Sequence, residues 1–246
     1  MQEEVMQNEA KYRVLNRDII KYVAMAAMLL NHIANIFLIP GTLLCEVFLD
    51  IGYFTAITMC YFMVEGYQYT RSKENYGIRL FLFAVVSQMP FSMAFHFGNM
   101  NMIFTLFLCF LILVVREKVT NKALQTVLVI FLVLLSGMGD WPFFAPMFVI
   151  MFDAWKGDRK KIWRTYIIGA VLFGAMNLMQ GLLMYEAPKA VLCALGSMLG
   201  IFASGVVIQF LYNGKRAEHG RNISKWFFYI FYPAHLLILA LIKMWM

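Results

Sequence analysis

Nine apolar stretches, parted by loops too short to fold alone, decide what this chain can become. They cover about Ile19–Ile39, Val47–Glu65, Leu80–Phe97, Met102–Val115, Leu124–Met138, Pro142–Trp155, Tyr166–Met184, Val191–Tyr212 and Trp226–Trp245. A helix needs about 20 mainly apolar residues to cross a bilayer. Of the 246 residues, 62% are hydrophobic and 14% charged. Soluble domains sit nearer one half and one quarter, so a water-soluble globule is excluded. No stretch alternates as a barrel strand must, which leaves helices as the only structure that satisfies the backbone in lipid. The fold class is therefore all-α, a polytopic membrane helix bundle of about nine spans, with roughly eight to ten as the bounds. Segments four to six are near 14 residues, about 21 Å, against a hydrocarbon core of about 30 Å. They extend into the interface or form partial hairpins. No polar stretch exceeds about 20 residues, where a small independent domain takes roughly 50. Residues 1–18 read as a cytoplasmic tail and 19–246 as a single transmembrane domain, and any chemistry must occur among the spans.

The net charge of +7 does not call for a nucleic-acid partner, because the bases lie in short loops between apolar runs. They gather before segment one (Lys11, Arg13, Arg17), after two (Arg71, Lys73, Arg79) and after four (Arg116, Lys118, Lys122). Further groups follow segment six (Lys156, Arg159, Lys160, Lys161, Arg164) and segment eight (Lys215, Arg216, Arg221, Lys225). The remaining loops carry Glu46, Asp50, Asp140, Glu186 and a single base, Lys189. Positive charge stays inside, so the N-terminus is expected in the cytoplasm and, with nine spans of the cell membrane, the C-terminus outside. Segments five and six lie between two basic loops and so cross twice or not at all. Trp141, Trp155, Trp163, Trp226 and Trp245 mark segment ends, as interfacial anchors do. The first apolar segment has no small-residue cleavage site after it and reads as a retained span. Cys45, Cys60, Cys109 and Cys193 stand apart without metal-ligand spacing and read as apolar fillers. No internal repeat argues for a transporter built of inverted halves.

Polar groups inside a span are costly, which makes each a functional candidate. Lys21 and His32 stand eleven positions apart in segment one, about three helical turns and about 16 Å on nearly one face. The other reading is a snorkelling lysine and a histidine bonded to a neighbouring helix. A second imidazole, His235, follows Pro233 in the last segment, where the proline frees a backbone carbonyl. Glu65 and Arg71 bracket the end of segment two, Arg79 opens segment three, Ser87 and Gln88 lie within it, and Asn101 and Thr105 begin segment four. Each of these also fits a plain helix-to-helix hydrogen bond. His96 and His219 read as solvated surface residues. Phosphate-binding loops, dinucleotide fingerprints, zinc-protease motifs and the serine elbow are absent from the sequence. Two distant histidines without a carboxylate cluster suggest no metal.

Five stretches together carry a resemblance. They are Ile51-Gly52 through Val64-Glu65-Gly66-x3-Thr70-Arg71, then Tyr76-Gly77-Ile78-Arg79-Leu80 and Ser87-Gln88-x-Pro90-Phe91, followed by Asn101 to Leu106 and Tyr232-Pro233-x-His235-Leu236. From about Asp18 to Ile242 the chain resembles the TraX family of polytopic membrane acetyltransferases, named for N-acetylation of conjugative pilin. The Lys21-x10-His32 spacing is similar to the basic-x10-His signature of the wider acyltransferase-three membrane enzymes. The resemblance implies acetyl-CoA as cosubstrate and no metal, His32 as catalytic base, and Lys21 as its basic partner. Glu65, Arg71, Arg79, Ser87, Gln88, Asn101, Thr105, Tyr232 and His235 match family motif positions. The residue before the histidine is usually Asp in the family and is Asn31 here. An Arg-x-Ala-Phe-Pro run after Ile-Gly is replaced by Tyr53-Phe-Thr-Ala-Ile.

The expectation is an acetyl transfer from cytoplasmic acetyl-CoA to an amine or hydroxyl acceptor at the outer face. His32 is the general base and His235 and Asn31 stand beside it. Lys21, Arg71 and Arg79, with Glu65, form the mouth that holds the donor phosphates. Asn31, Asn35 and Asn101 are candidate oxyanion donors, and Ser87, Gln88, Thr105 and Tyr232 candidate acceptor contacts. The partners are then the bilayer, a small acyl donor and an extracytoplasmic acceptor such as a pilin terminus or a surface glycan. The rival is a non-enzymatic transporter, channel or scaffold of a conjugation or pilus assembly.

Overall fold

The computed structural model describes residues 12–95, 98–218 and 221–246, the side chains of residues 221–223 and 225 excepted. Lys11, His96, His219 and the side chains of Arg221 and Lys225 lie outside the described residues. Each of the nine apolar segments is a helix: α1 (Arg17–Phe37), α2 (Leu43–Tyr69), α3 (Lys73–Phe95), α4 (Met102–Lys118), α5 (Lys122–Leu135), α6 (Phe144–Ala154), α7 (Arg159–Met184), α8 (Ala187–Val206) and α9 (Arg221–Trp245). Among the described residues there is no strand beyond two isolated bridges, Leu15 with Tyr212 and Met100 with Gly139. Among the described residues six helices are long and apolar enough to cross a membrane, namely α1, α2, α3, α7, α8 with its continuation to Leu211, and α9. The expected shortness of the middle segments holds, with 17 residues in α4, 14 in α5 and 11 in α6. That makes about 26, 21 and 17 Å of helix.

Two helices start well before their apolar segments. α3 begins at Lys73, where Ser72 Oγ accepts the Asn75 N–H, and α7 begins at Arg159. Charged residues are compatible with a helix that rises out of the hydrocarbon, so hydropathy marks the buried part of a helix and not its ends. α8 ends in one π turn, Val207–Leu211.

The chain forms two compact units, Met1–Thr58 with Arg159–Phe228, and Met59–Asp158 with Tyr229–Met246. In the first, Thr55 Oγ1 donates to the Ala24 carbonyl (2.6 Å) and ties α2 to α1. Thr58 and Ser204 share a buried hydroxyl pair at 2.7 Å between α2 and α8. Small residues let α7 and α8 approach closely: Gly174 faces Met198, Gly181 faces Ala190, and Gly205 faces Tyr166 and Trp163. The segment before α1 pairs with the chain after α8, since Leu15 N–H donates to Leu211, Asn213 N–H to Leu15, and Arg17 N–H to Lys215.

In the second unit, α3 and α4 run side by side, with Gly77 against the Phe110 ring. The loop before α4 is stitched to the loop before α6. Met100 N–H donates to Met138 (2.7 Å) and Asp140 N–H donates back to Met100 (2.8 Å). Lys243 of α9 donates to the Ala94 carbonyl near the end of α3 (3.1 Å).

Candidate functional site

In the first unit the site begins at the start of α1. Asn16 caps the helix by accepting the Ile19 N–H (2.9 Å), and the buried Asp18 accepts the Ala217 N–H (2.7 Å). Lys21 follows, half-buried, with its Nζ 5.1 Å from the Phe228 ring centroid. His32 is 7% exposed and belongs to the same buried face as Arg17, Ala24 and Met25. The cation and the imidazole therefore lie in one line along α1, about 16 Å apart by the rise of the helix.

Asn31 and Asn35 are occupied with structural bonds. Asn35 Nδ2 donates to the Asn31 carbonyl (2.8 Å) and to Asn31 Oδ1 (3.0 Å), while Asn31 Nδ2 donates to the Leu49 carbonyl of α2 (3.2 Å). Gly52 lies opposite, where a Cβ would collide with the Asn31 side chain. The asparagine that replaces the usual acid thus joins α1 to α2, a bond that a carboxylate is unable to donate.

The second unit brings four of the expected residues into one cluster. Asn101 is fully buried and caps α4, its Oδ1 accepting the N–H groups of Ile103 (3.0 Å) and Phe104 (3.2 Å). Its Nδ2 donates to the Ala84 carbonyl (2.7 Å) and to Gln88 Oε1 (2.8 Å), which also accepts the Asn101 N–H. Gln88 Nε2 spends itself on Ser92 Oγ and the Asn99 carbonyl. The Tyr232 hydroxyl accepts the Met102 N–H (3.2 Å), and Thr105 Oγ1 donates to the Asp140 carbonyl (2.7 Å). The amides of Asn101 and Gln88 therefore clamp α3 to the start of α4.

His235 is 5% exposed and stacks on Phe231, one turn earlier, with ring centroids 4.8 Å apart. Its Nδ1 lies 2.7 Å from the Phe231 carbonyl. A carbonyl oxygen only accepts, so Nδ1 carries the hydrogen and Nε2 is the basic nitrogen of the neutral ring. The Tyr232 ring meets the imidazole edge-on at 5.7 Å.

The remaining candidates stand outside this cluster. Glu65 is half-buried and Arg71 exposed. Arg79 places its guanidinium carbon 5.9 Å from the Tyr76 ring centroid, and its Nε is buried without a hydrogen-bond partner among the described residues. Ser87 Oγ is likewise buried and unpartnered.

The cluster also holds the loop of Asp140 and Trp141, whose backbone conformation the sequence does not mark. Trp141 (φ 57°) and Phe143 (φ 62°) adopt left-handed backbone that non-glycine residues rarely take, a cost of order 1–3 kcal/mol each. Two such residues in three positions had no signature beyond the Pro142 between them. Burial raises the Asp140 carboxyl from 3.8 to about 6, opposed by a hydrogen bond from the Trp141 backbone. The folded chain then holds the proton more tightly than the unfolded one. The linked stability is complete below pH 3.8 and is lost as the pH climbs through 6. Unfolding midpoints in detergent across that window should decline for the native chain, and Asp140→Asn should remove part of the decline. Parallel profiles for the two proteins would mean that Asp140 does not titrate this way.

Comparison with known proteins finds similarity along nearly the whole chain. The family model described as TraX protein matches residues 16–243. The chain is 28% identical over 244 residues to "Probable fimbrial assembly protein FimC, serogroup H1" of Dichelobacter nodosus, covering 92% of this chain and 95% of that protein. No solved structure matches. With a match that begins at the cap of α1 and ends in the last turn of α9, the chain belongs to the TraX family.

Proposed function

We propose that this protein is an integral membrane acetyltransferase that moves an acetyl group from cytoplasmic acetyl-CoA to an amine or hydroxyl at the outer face of the cell membrane. The observation that carries the reading is the buried His32 in line with Lys21 on one face of α1. An extended pantetheine arm is about as long as the rise of about 16 Å between them. The phosphates stay at the interface with Lys21 at the start of α1, while the thioester reaches the imidazole. His32 takes the proton as the acceptor nitrogen or oxygen attacks the thioester carbon. The new C–N or C–O bond forms, the C–S bond breaks, and the departing CoA thiolate recovers the proton from the imidazolium. His235, with Nδ1 held by Phe231 and Nε2 left as the basic nitrogen, has an orienting role secondary to that of His32.

Purified protein should release CoA in a single turnover only when a suitable acceptor is present. The name of the Dichelobacter relative favours a second reading, a non-enzymatic part of fimbrial assembly. Absence of CoA release with every amine and hydroxyl acceptor, together with loss of fimbriae on deletion, would select that reading.

Topology gives an independent check. With α4 crossing, and α5 and α6 crossing either twice or not at all, the number of spans is odd. A reporter fused after Met246 should then lie outside and Lys160 inside. Six crossings alone would return both ends to one side, so a cytoplasmic C-terminus overturns the orientation proposed here.

A further inference from the structure

Within the second unit, four helices end around a cavity of about 460 Å³, inside the range of about 300–1,000 Å³ usual for ligand pockets. Tyr67 stands in the last turn of α2, Lys73 opens α3, Arg116 and Glu117 close α4, and Asp153 and Lys156 flank the end of α6. In the sequence these bases were only topology marks in three separate loops. Folding brings all three to one wall.

The three cations face two carboxylates, and the bonds among them are unequal. Lys73 is used fully, donating to both oxygens of Glu117 at 2.5 and 2.6 Å and standing over the Tyr67 ring, whose hydroxyl also donates to Glu117. Arg116 reaches Asp153 Oδ2 through Nε alone, at 2.9 Å. Its two terminal nitrogens have no partner among the described residues. Lys156 Nζ lies 3.8 Å from Asp153 Oδ1, beyond hydrogen-bond reach, with 60% of its side chain exposed. An unspent guanidinium fork and a loosely held ammonium therefore share one cavity, and a fork of that kind matches two oxygens of a phosphate.

We propose that this cavity binds a phosphate-bearing anion, with the terminal nitrogens of Arg116 gripping two phosphate oxygens and Lys156 closing from the exposed side. The inference goes beyond acetyl transfer and holds whether or not the chain is an enzyme. The C-termini of α2, α4 and α6 point their partial negative charge toward the same ends, which offsets part of the attraction. Binding is accordingly modest and salt-sensitive. The same phosphate chemistry is offered by a soluble phosphorylated metabolite and by the headgroup of an anionic lipid.

The probe is inorganic pyrophosphate, titrated calorimetrically into the full chain in neutral detergent. The native protein should bind it, with weaker affinity at higher salt. Arg116→Gln should weaken binding about tenfold, as loss of a charged hydrogen-bonding pair does. Lys156→Gln should weaken it about threefold, the scale of an exposed charge contact. Lys160→Gln, outside the cavity, should leave it unchanged. No binding by the native chain, or equal affinity in the Lys156 and Arg116 variants, would overturn the proposal. Should Arg116→Gln fail to fold for want of its Asp153 bond, the exposed Lys156 variant decides the matter. Repeating the titration in phosphatidylcholine nanodiscs with and without phosphatidic acid separates the sources. Suppression by phosphatidic acid assigns the cavity to a lipid headgroup, and undiminished binding assigns it to a soluble ligand.

Discussion

Single-turnover release of CoA is expected to fall by about 100-fold or more when His32 is replaced by alanine, the lower end of what a positioned general base contributes. Expression and CoA binding should change little. His32 and Lys21 share one helix face, but about three turns lie between the reacting carbon and the phosphate contacts. His235→Ala should slow the reaction less, because an orienting group is bypassed more easily than the base itself. The useful measurement is the pair of variants assayed side by side with the same acceptor. Full activity in His32→Ala would remove His32 from the mechanism and, with it, the residue-level support for acyl transfer in this chain.

Asn101→Ala is expected to be the most destabilising polar substitution in the second unit. Alanine deletes a helix cap, typically about 1 kcal/mol, and takes a buried donor from the Ala84 carbonyl, about 1–3 kcal/mol, while Gln88 Oε1 keeps the backbone N–H of position 101. The sum is roughly 2–4 kcal/mol, read as a lowered midpoint of unfolding in mixed detergent. Asn101→Asp keeps the two acceptor bonds to Ile103 and Phe104 and loses both donations, so it separates the cap from the clamp. A loss below about 1 kcal/mol in Asn101→Ala would show that the α3–α4 junction is held by packing instead.

Asn101 also shows how far the sequence could be read. An asparagine directly before an apolar run is an N-cap signal, and the same residue stood out as a costly polar group in a membrane segment. Both readings are true of one side chain, and only the positions of Ala84 and Gln88 show that its amide is already engaged. The number of helices and the short middle of the chain were legible because apolar length is a local property. Lys21 and His32 were legible for a related reason, since helical periodicity alone puts residues eleven positions apart on nearly one face. The Arg116 cavity was not legible. Its walls come from residues 67, 73, 116, 153 and 156, and no periodicity within one helix encodes which helix ends will meet. Asp140 was visible only as an acid in an outer loop, because its enclosure depends on Met100 pairing with the loop that carries it.

The bridge between Leu15 and Tyr212 has a consequence for biogenesis. The first transmembrane helix leaves the ribosome early, yet the backbone that satisfies its entry, and the Ala217 amide that holds the buried Asp18, are 199 residues behind it. At about 5–20 residues per second, that interval lasts roughly 10–40 seconds. For all of that time α1 lacks the Ala217 amide and the backbone partners at Leu211, Asn213 and Lys215 that the folded chain provides. The order of synthesis thus makes the start of the chain among the last parts to be finished, and a ribosome that stalls before Lys215 leaves a first helix that is inserted but not yet locked.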